Sequence, residues 1–383
     1  MNIITDTKSL DKLCKDLAKA PYVAIDTEFI REKTYYPLLC LLQVANDDIE
    51  AIIDPLAEGI DLEPLYKLMQ NKKVMKVMHG GRQDVEIFYF QMNKIPAPLF
   101  DTQIAGMVCG FGDQIGYENM IRKILNIQID KGSRYTDWSR RPLSEKQLMY
   151  AMADVTHLRF AYKHMQELLD QQKRTHWLEE EMEILTSAET YENPPELAWE
   201  RIKINTRKRN ALGVLKEIAE WREHTAQQDD EPRGRVLKDR ALTEIAQNPP
   251  KSVEGLRRIR DIHPSFFDKK RPDALMKAIK RGLQMSEKDY PKADKHKALP
   301  SHIKPIVEML RVLLKLKCET HDVAPKLLAN SSDLDQIAAY GAKANVPALK
   351  GWRKELFGDD ALALMSGKIG FVLENDQIQI RKL

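Results

Sequence analysis

"YVAIDTEF", residues 22–29, is an apolar run that ends in two carboxylates one residue apart. Its β-branched and aromatic residues predict a strand. Successive side chains of a strand point to opposite faces, so Asp26 and Glu28 share one. Two such charges side by side repel unless water reaches them or a cation sits between them. On this stretch alone both explanations stand, a solvated strand end and a metal site.

Outward from it, "LLCLLQVAN" (38–46), "EAIIDP" (50–55) and "KVMKVMHG" (73–80) predict three more strands. "DLEPLYKLMQ" (61–70) predicts a helix, as do residues 81–92. From residue 101 the pattern is helical, including "GYENMIRKILN" (116–126) and a single long helix over 144–172. Three adjacent strands followed by a crossover describe a mixed sheet flanked by helices. Two prolines in "YENPPELAWERI" (191–202) mark a boundary. Residues 200–285 form short helices broken at "DDEPRGR", "NPP" and "DIHPSF", and the polar stretch 286–300 has the composition of a linker. The tail from 301 is again helical. Its "VAPKLLANSSDLDQIAAYGAK" echoes "VLKDRALTEIAQNPPKSVEGL" of the preceding module, an apolar-basic turn leading into a helix and a polar break. The expected domains are therefore 1–195, 200–285 and 301–383, with 286–300 joining the last two.

The 383 residues carry a net charge of only +3, but it divides as −8 over 1–199, +9 over 200–299 and +2 over 300–383. A basic segment suits a polyanion, although a charge run is more often just a solvated face. No apolar run is long enough for a membrane helix, and the start has no apolar signal core, so a cytoplasmic protein with no membrane association is expected. Four scattered cysteines with no CxxC pair argue against zinc or a disulfide framework.

Two further motifs bear on the carboxylates. "HGGRQD" (79–84) follows the fourth strand, and its glycines let the chain turn and deliver Asp84 at the next helix start, where an aspartate also serves the helix dipole. "YAMAD" puts Tyr150 and Asp154 at i and i+4 on one helix face, a spacing that also suits a hydrogen-bonded surface pair. Taken together, Asp26, Glu28, Asp84 and Asp154 form an all-oxygen set, which favours Mg²⁺ or Mn²⁺ over zinc. Two such ions roughly 3.5–4 Å apart would clamp the attacking and leaving oxygens of a phosphodiester.

D-x-E, a glycine-containing turn ending in Asp, then Y-x-x-x-D resembles the tyrosine type of the DEDD 3′→5′ exonuclease superfamily. The histidine type would carry His where this chain has Met149. "DTEFIREKTYYPLLCLLQVA", "HGGRQD", "FDTQIA" and "TDWSRRPLSEKQLMYAMADVTHL" are similar to the nuclease domain of the bacterial ribonuclease D family. The basic module resembles that family's helicase-and-ribonuclease-D C-terminal (HRDC) domain, and the tail a second, divergent copy. The resemblance implies an α/β domain of RNase H-like fold followed by all-α HRDC domains. It further implies a 3′→5′ exoribonuclease that releases nucleoside 5′-monophosphates from RNA, with tRNA precursors bearing 3′ extensions as substrate.

By the same resemblance, two divalent ions serve the site. Asp26, Glu28 and Asp154 hold the one that activates water, and Asp26 and Asp84 reach the other. Tyr150 orients the water, since a free phenol with a pKa of about 10 is a poor general base. Further candidates for substrate contact are His79, Tyr35 (with Tyr36), Trp138, Arg140 and Arg141, each with a packing role as its alternative. In the basic module they are Arg207, Lys208, Arg209, Arg233 and Arg235, whose alternative is surface solvation. No phosphate-binding P-loop is present, so no nucleotide cofactor is expected and a helicase is excluded. Two other functions compete: a DNA exonuclease, because two metal ions are indifferent to the sugar, and a silent nucleic-acid adaptor, against which the intact carboxylates and Tyr150 argue.

Overall fold

A computed structural model describes residues 2–129, 132, 136–206, 208–268, 270–286, 288–291 and 300–383. Arg207, and residues 287 and 292–299 of the expected linker, lie outside them. The chain divides into two compact units, one of Met1–Glu28, Leu39–Thr190 and Lys297–Leu383, the other of Phe29–Leu38 and Tyr191–His296.

The first unit is built on a six-stranded sheet of β1 (Ile3–Ile4), β2 (Tyr22–Ile30), β3 (Leu38–Ala45), β4 (Glu50–Ile53), β5 (Met75–Met78) and β6 (Leu99–Asp101), in the order β1-β4-β3-β2-β5-β6. β3 runs antiparallel to β4, whereas β1 is parallel to β4 and β5 is parallel to both β2 and β6. The sheet is mixed, as the three adjacent strands predict. β3 is central and buried from Leu39 to Ala45, which its nearly unbroken apolar run requires. The four predicted strands form. β1 and β6, of two and three residues, are additions the sequence pattern does not reveal.

Helices α1 (Thr7–Leu17), α2 (Glu63–Met69), α3 (Arg82–Met92), α4 (Thr102–Val108) and α5 (Tyr117–Leu125) precede two helices where one was expected. These are α6 (Glu145–Thr156) and α7 (Leu158–Gln172), parted at His157, whose Nδ1 is 2.8 Å from the carbonyl of Ala153. α8 (Thr175–Leu185) follows.

In the second unit, α9 (Arg209–Gln228), α10 (Arg233–Val236), α11 (Asp239–Gln247), α12 (Val253–Leu256) and α13 (Arg271–Gln284) enclose a core around Val214, Leu215, Ile218, Leu242, Ile245 and Leu275. Phe29–Leu38, the connection from β2 to β3, belongs to this unit. The backbone N–H groups of Tyr35 and Tyr36 donate to Asp230 Oδ1 at 3.0 and 2.9 Å. The Tyr35 hydroxyl donates to Glu223 Oε1 at 2.5 Å and accepts from Arg233 Nη2 at 2.8 Å.

The tail begins with α14 (Lys304–His321), α15 (Pro325–Leu328) and α16 (Ser331–Tyr340). It ends in a hairpin, β7 (Ile369–Glu374) with β8 (Gln377–Lys382), in place of further helix. The tail packs within the first unit. Trp352 stacks on Trp177 of α8 at 4.4 Å, Arg353 pairs with Glu180 and Glu181, and Ala324 N–H donates to Met107 O at 3.1 Å. No helix among the described residues is long and apolar enough to cross a membrane.

The sheet's most unusual buried group is Lys76 on β5, with no exposed surface. Its Nζ donates to the carbonyls of Asn71, Val74 and Ala97 at 2.9, 2.8 and 2.5 Å, closing the ends of the segments on either side. Burial pulls the amine down to about 7, while three acceptors call for the three donors of an ammonium. Lys76→Met should therefore lower stability by about 1–3 kcal/mol by leaving buried carbonyls unpaired. The urea midpoint checks this, and an unchanged midpoint would show the three bonds to be dispensable.

Candidate active site

β2 delivers the first two carboxylates. Tyr22 to Ile25 are buried, and the register with β5 covers Tyr22–Ala24, so Asp26 and Glu28 lie just past the part of the strand that pairs with β5. There they are half-buried. One oxygen from each of Asp26, Glu28 and Asp154 falls within 4.8 Å of the others.

The turn after β5 is fixed from outside. Asp101, 2% exposed at the end of β6, accepts from Gly80 N–H at 3.0 Å and Gly81 N–H at 2.8 Å. The same carboxylate caps α4 by accepting from Gln103 N–H at 2.7 Å. Gly80 has φ +62°, and a Cβ on Gly81 would lie 2.7 Å from Met78 Cβ, so neither position takes a side chain without strain. This turn starts α3 at Arg82 and puts Asp84 in its first turn, 8% exposed. Asp84 stands outside the group of three. Its Oδ1 accepts a short hydrogen bond from the hydroxyl of Thr27, on the face of β2 opposite Asp26. Sequence patterns had singled out neither Asp101 nor Thr27. An aspartate directly before a helix, in "FDTQIA", was the available signal for Asp101.

α6 delivers the rest. Ser144 caps it reciprocally with Gln147, and Ala151, Met152 and Val155 bury its inner face. Tyr150 and Asp154 are left half-buried one turn apart. The hydroxyl of Tyr117 donates to the carbonyl of Ala153 at 3.0 Å and so steadies the turn that carries Asp154. Tyr117 was also overlooked, because a tyrosine on an amphipathic helix carries no motif. Trp138 packs 6.2 Å from the Tyr150 ring.

The electrostatics call for a cation. Burial first, then the charges of Asp154, Asp84 and Glu28, push the Asp26 carboxyl well above the usual range. Burial pushes Asp84 up to about 6, against the Thr27 hydrogen bond. Carboxylates this close fit a divalent ion with oxygen ligands.

The remaining candidates divide by what they touch. His79 is half-buried, its Nδ1 2.9 Å from Thr102 Oγ1 and its ring edge-on to Tyr117. Arg141 is committed internally: it forks onto Asp54 at 2.7 and 2.6 Å and donates to the carbonyls of Trp138 and Cys40. Trp138, 2% exposed, is a packing residue, whereas Arg140 is exposed beside Asp137. Tyr35, expected at a groove rim, is 4% exposed inside the second unit, because its hydroxyl completes the Glu223 and Arg233 network. Arg233 itself is held by Glu223 at 2.5 Å. Lys208, Arg209 and Arg235 are exposed.

A stability test follows from the raised carboxyl pKa values. Asp26 and Asp84 bind protons more tightly folded than unfolded. Their favourable contribution is complete below about pH 4 and is lost as pH rises through the raised values, about 6 for Asp84. A divalent ion replaces those protons. Mg²⁺ or Mn²⁺ should thus raise the Tm more at about pH 7.5 than at about pH 5. Asp26→Asn should raise the metal-free Tm at the higher pH and shrink the metal-dependent gain. A metal effect independent of pH in calorimetry would contradict this account.

Known proteins carry the same architecture. A family model described as a 3′-5′ exonuclease matches residues 1–170, and a model of the HRDC domain matches residues 211–279. Ribonuclease D of Bartonella henselae is 44% identical over 383 residues, covering all of this chain and 94% of that protein. Ribonuclease D of Nitrobacter hamburgensis is 46% identical over 379 residues, covering 99% and 98%. Among solved structures, Escherichia coli RNase D, described as an exoribonuclease involved in structured RNA processing, superposes with a TM-score of 0.83 at 27% identity over 95% of this chain and 98% of that one. The catalytic core of RRP6 from Trypanosoma brucei shares the fold at a TM-score of 0.56 and 20% identity, over 74% and 79%. With an exonuclease domain that gathers three carboxylates and an HRDC domain behind it, the chain belongs to the ribonuclease D family of 3′→5′ exoribonucleases.

Proposed function

We propose that this exoribonuclease trims tRNA precursors with 3′ extensions, releasing nucleoside 5′-monophosphates by a two-metal mechanism. The convergence of Asp26, Glu28 and Asp154 carries the reading. Those three residues would hold one divalent ion, Mg²⁺ or Mn²⁺, and Asp26 with Asp84 the second. When bound, the ions lower the pKa of water and neutralise charge on the phosphate. Asp84 accepts from Thr27 through Oδ1 and would offer its other oxygen to the second ion. Tyr150, one helical turn from Asp154, orients the attacking water through its hydroxyl.

The substrate preference rests on charge. The first 199 residues are acidic, at −8, and a poor surface for a polyanion, whereas residues 200–299 carry +9. Lys208, Arg209 and Arg235 are exposed there and are the candidates for phosphate contact, while Arg233 serves the Glu223 network. The tail is proposed as a second, divergent HRDC copy. A long helix, a one-turn helix and a medium helix follow one another as α9, α10, α11 and again as α14, α15, α16, with lengths of 20, 4 and 9 residues against 18, 4 and 10.

The direct test is a 3′-extended tRNA transcript incubated with the protein, with and without Mg²⁺ or Mn²⁺, the products being resolved by chromatography. Metal-dependent shortening from the 3′ end to nucleoside 5′-monophosphates is expected, and internal cleavage or nucleoside 3′-monophosphates would refute it. Asp26→Asn and Asp154→Asn keep side-chain size and remove ligand charge, so each should abolish turnover in protein that remains folded by circular dichroism. Tyr150→Phe should lower kcat by about a hundredfold through loss of water alignment, with little change in RNA affinity. An unchanged kcat would reduce Tyr150 to a packing residue.

A further inference from the structure

Among the described residues, three donors converge on one backbone carbonyl, that of Ala153, the residue before Asp154. The amide of His157 reaches it at 3.4 Å, the ring Nδ1 of His157 at 2.8 Å and the hydroxyl of Tyr117 at 3.0 Å. A carbonyl oxygen has two lone pairs. The two side chains fill them, and the helical bond is the one stretched past the roughly 2.7–3.2 Å of a good N–H···O contact. Nδ1 faces a group that can only accept, so it carries the ring hydrogen. A side chain inserted into the helical ladder is an established cause of a break, and α6 ends at this point. His157 is its C-cap, and α7 starts at Leu158.

Tyr117 is held for this contact from outside α6. It is the first residue of α5, and its ring lies edge-on to the His79 imidazole at 5.5 Å. His79 is fixed in turn, its Nδ1 2.9 Å from Thr102 Oγ1, which donates to the carbonyl of Met78 at 3.1 Å. Burial first, then the charges of Asp154 and Asp26, push the Tyr117 phenol well above its usual range, so the hydroxyl keeps its hydrogen. Two of the three converging carboxylates are thus near enough to act on it, while its hydroxyl is spent on the peptide beside one of them.

We infer that Tyr117 and His157 are positioning residues, whose two hydrogen bonds to the Ala153 carbonyl fix the peptide leading into Asp154 and so hold its carboxylate at metal-binding distance from Asp26 and Glu28. The inference rests on the reading that those three acids hold a divalent ion, and names what sets their spacing. Before an ion arrives, repulsion drives Asp154 away from β2. A carbonyl anchored to α5 opposes that drift, so the ion meets ligands already spaced. Losing the anchor then costs affinity for the ion, and not the chemistry that follows its binding.

The test strips the full chain of metal with EDTA, removes the chelator by dialysis, and titrates Mn²⁺ by calorimetry without RNA. Tyr117→Phe and His157→Ala should each weaken Mn²⁺ binding about fivefold, short of the roughly 10–100-fold lost when a ligand's own partner is removed. His157→Asn, whose amide nitrogen stands where Nδ1 does, should recover most of the loss. At saturating Mn²⁺ both kcat and the KM for RNA should return to within about twofold of wild type. Tyr66→Phe removes another phenol hydroxyl of the same unit, one that donates to Gln91 at 3.3 Å, and should bind Mn²⁺ as wild type. Should Tyr117→Phe fail to fold, the two His157 variants read the same carbonyl from its other side. Equal weakening in Tyr66→Phe, or losses that only follow a fall in Tm, would overturn the inference and leave ordinary packing. Unchanged Mn²⁺ affinity in Tyr117→Phe and His157→Ala would overturn it as well, and His157→Asn as weak as His157→Ala would remove His157 from the pair. Wild type that takes up no Mn²⁺ would overturn the metal reading and this inference together.

Discussion

Three carboxylate groups brought within 4.8 Å of one another repel, and the elements that carry them must hold them against that repulsion. The sheet supplies rigidity where the charges need it. β2 is buried up to Ile25 and paired to β5 over its first residues, so Asp26 and Glu28 project from an anchored strand. α6 is fixed at its start by a reciprocal cap and near Asp154 by the Tyr117 hydroxyl. Strain of this kind is stored at the site and offset by packing elsewhere. Asp101 illustrates the offset: one buried carboxylate orders both the turn that leads to Asp84 and the helix that follows β6.

Much of this was legible because the signals are periodic or chemical. "YVAIDTEF" declared both a strand and a pair of acids, and the four main strands and α3 followed from alternation and from glycine. The three clustered carboxylates came from residue type together with their spacing on a strand and a helix, and from the resemblance that joined them into one set. What escaped detection lacked a pattern. β1 and β6 are too short to alternate. The break at His157 lies inside an unbroken helical period, where a side chain bonding back to Ala153 decides the outcome. The β7–β8 hairpin follows a helical tail and is only partly buried, so its hydrophobic signal is weak. Tyr35 looked like a groove residue because its partner Glu223 is 188 positions away, and no local reading finds such a partner.

The helical modules show how charge is partitioned. In the second unit two ion pairs are anchored on a buried partner, Arg233 on Glu223 and the acids Asp229 and Glu231 on Arg271, and these are internal to the unit. The excess cations stay at the surface, where a polyanion can reach them. The tail, with its near balance of +2, instead spends Arg353 on the acids of α8 and stacks Trp352 on Trp177. Two stretches with one helical plan are thus put to different physical use.

The path of the chain has an evolutionary consequence. It leaves the first unit after Glu28, returns at Leu39, leaves again after Thr190 and comes back for the tail. A helical module that recruits ten residues encoded some 160 positions upstream is not a cassette. Recombination that exchanged residues 191–296 for a foreign HRDC domain would strand Tyr35 without Glu223, and would loosen the backbone at the residue after a metal-ligand candidate. Descent of the two units should therefore be coupled, with changes at 29–38 following changes around Glu223 and Asp230 and not those in the neighbouring sheet.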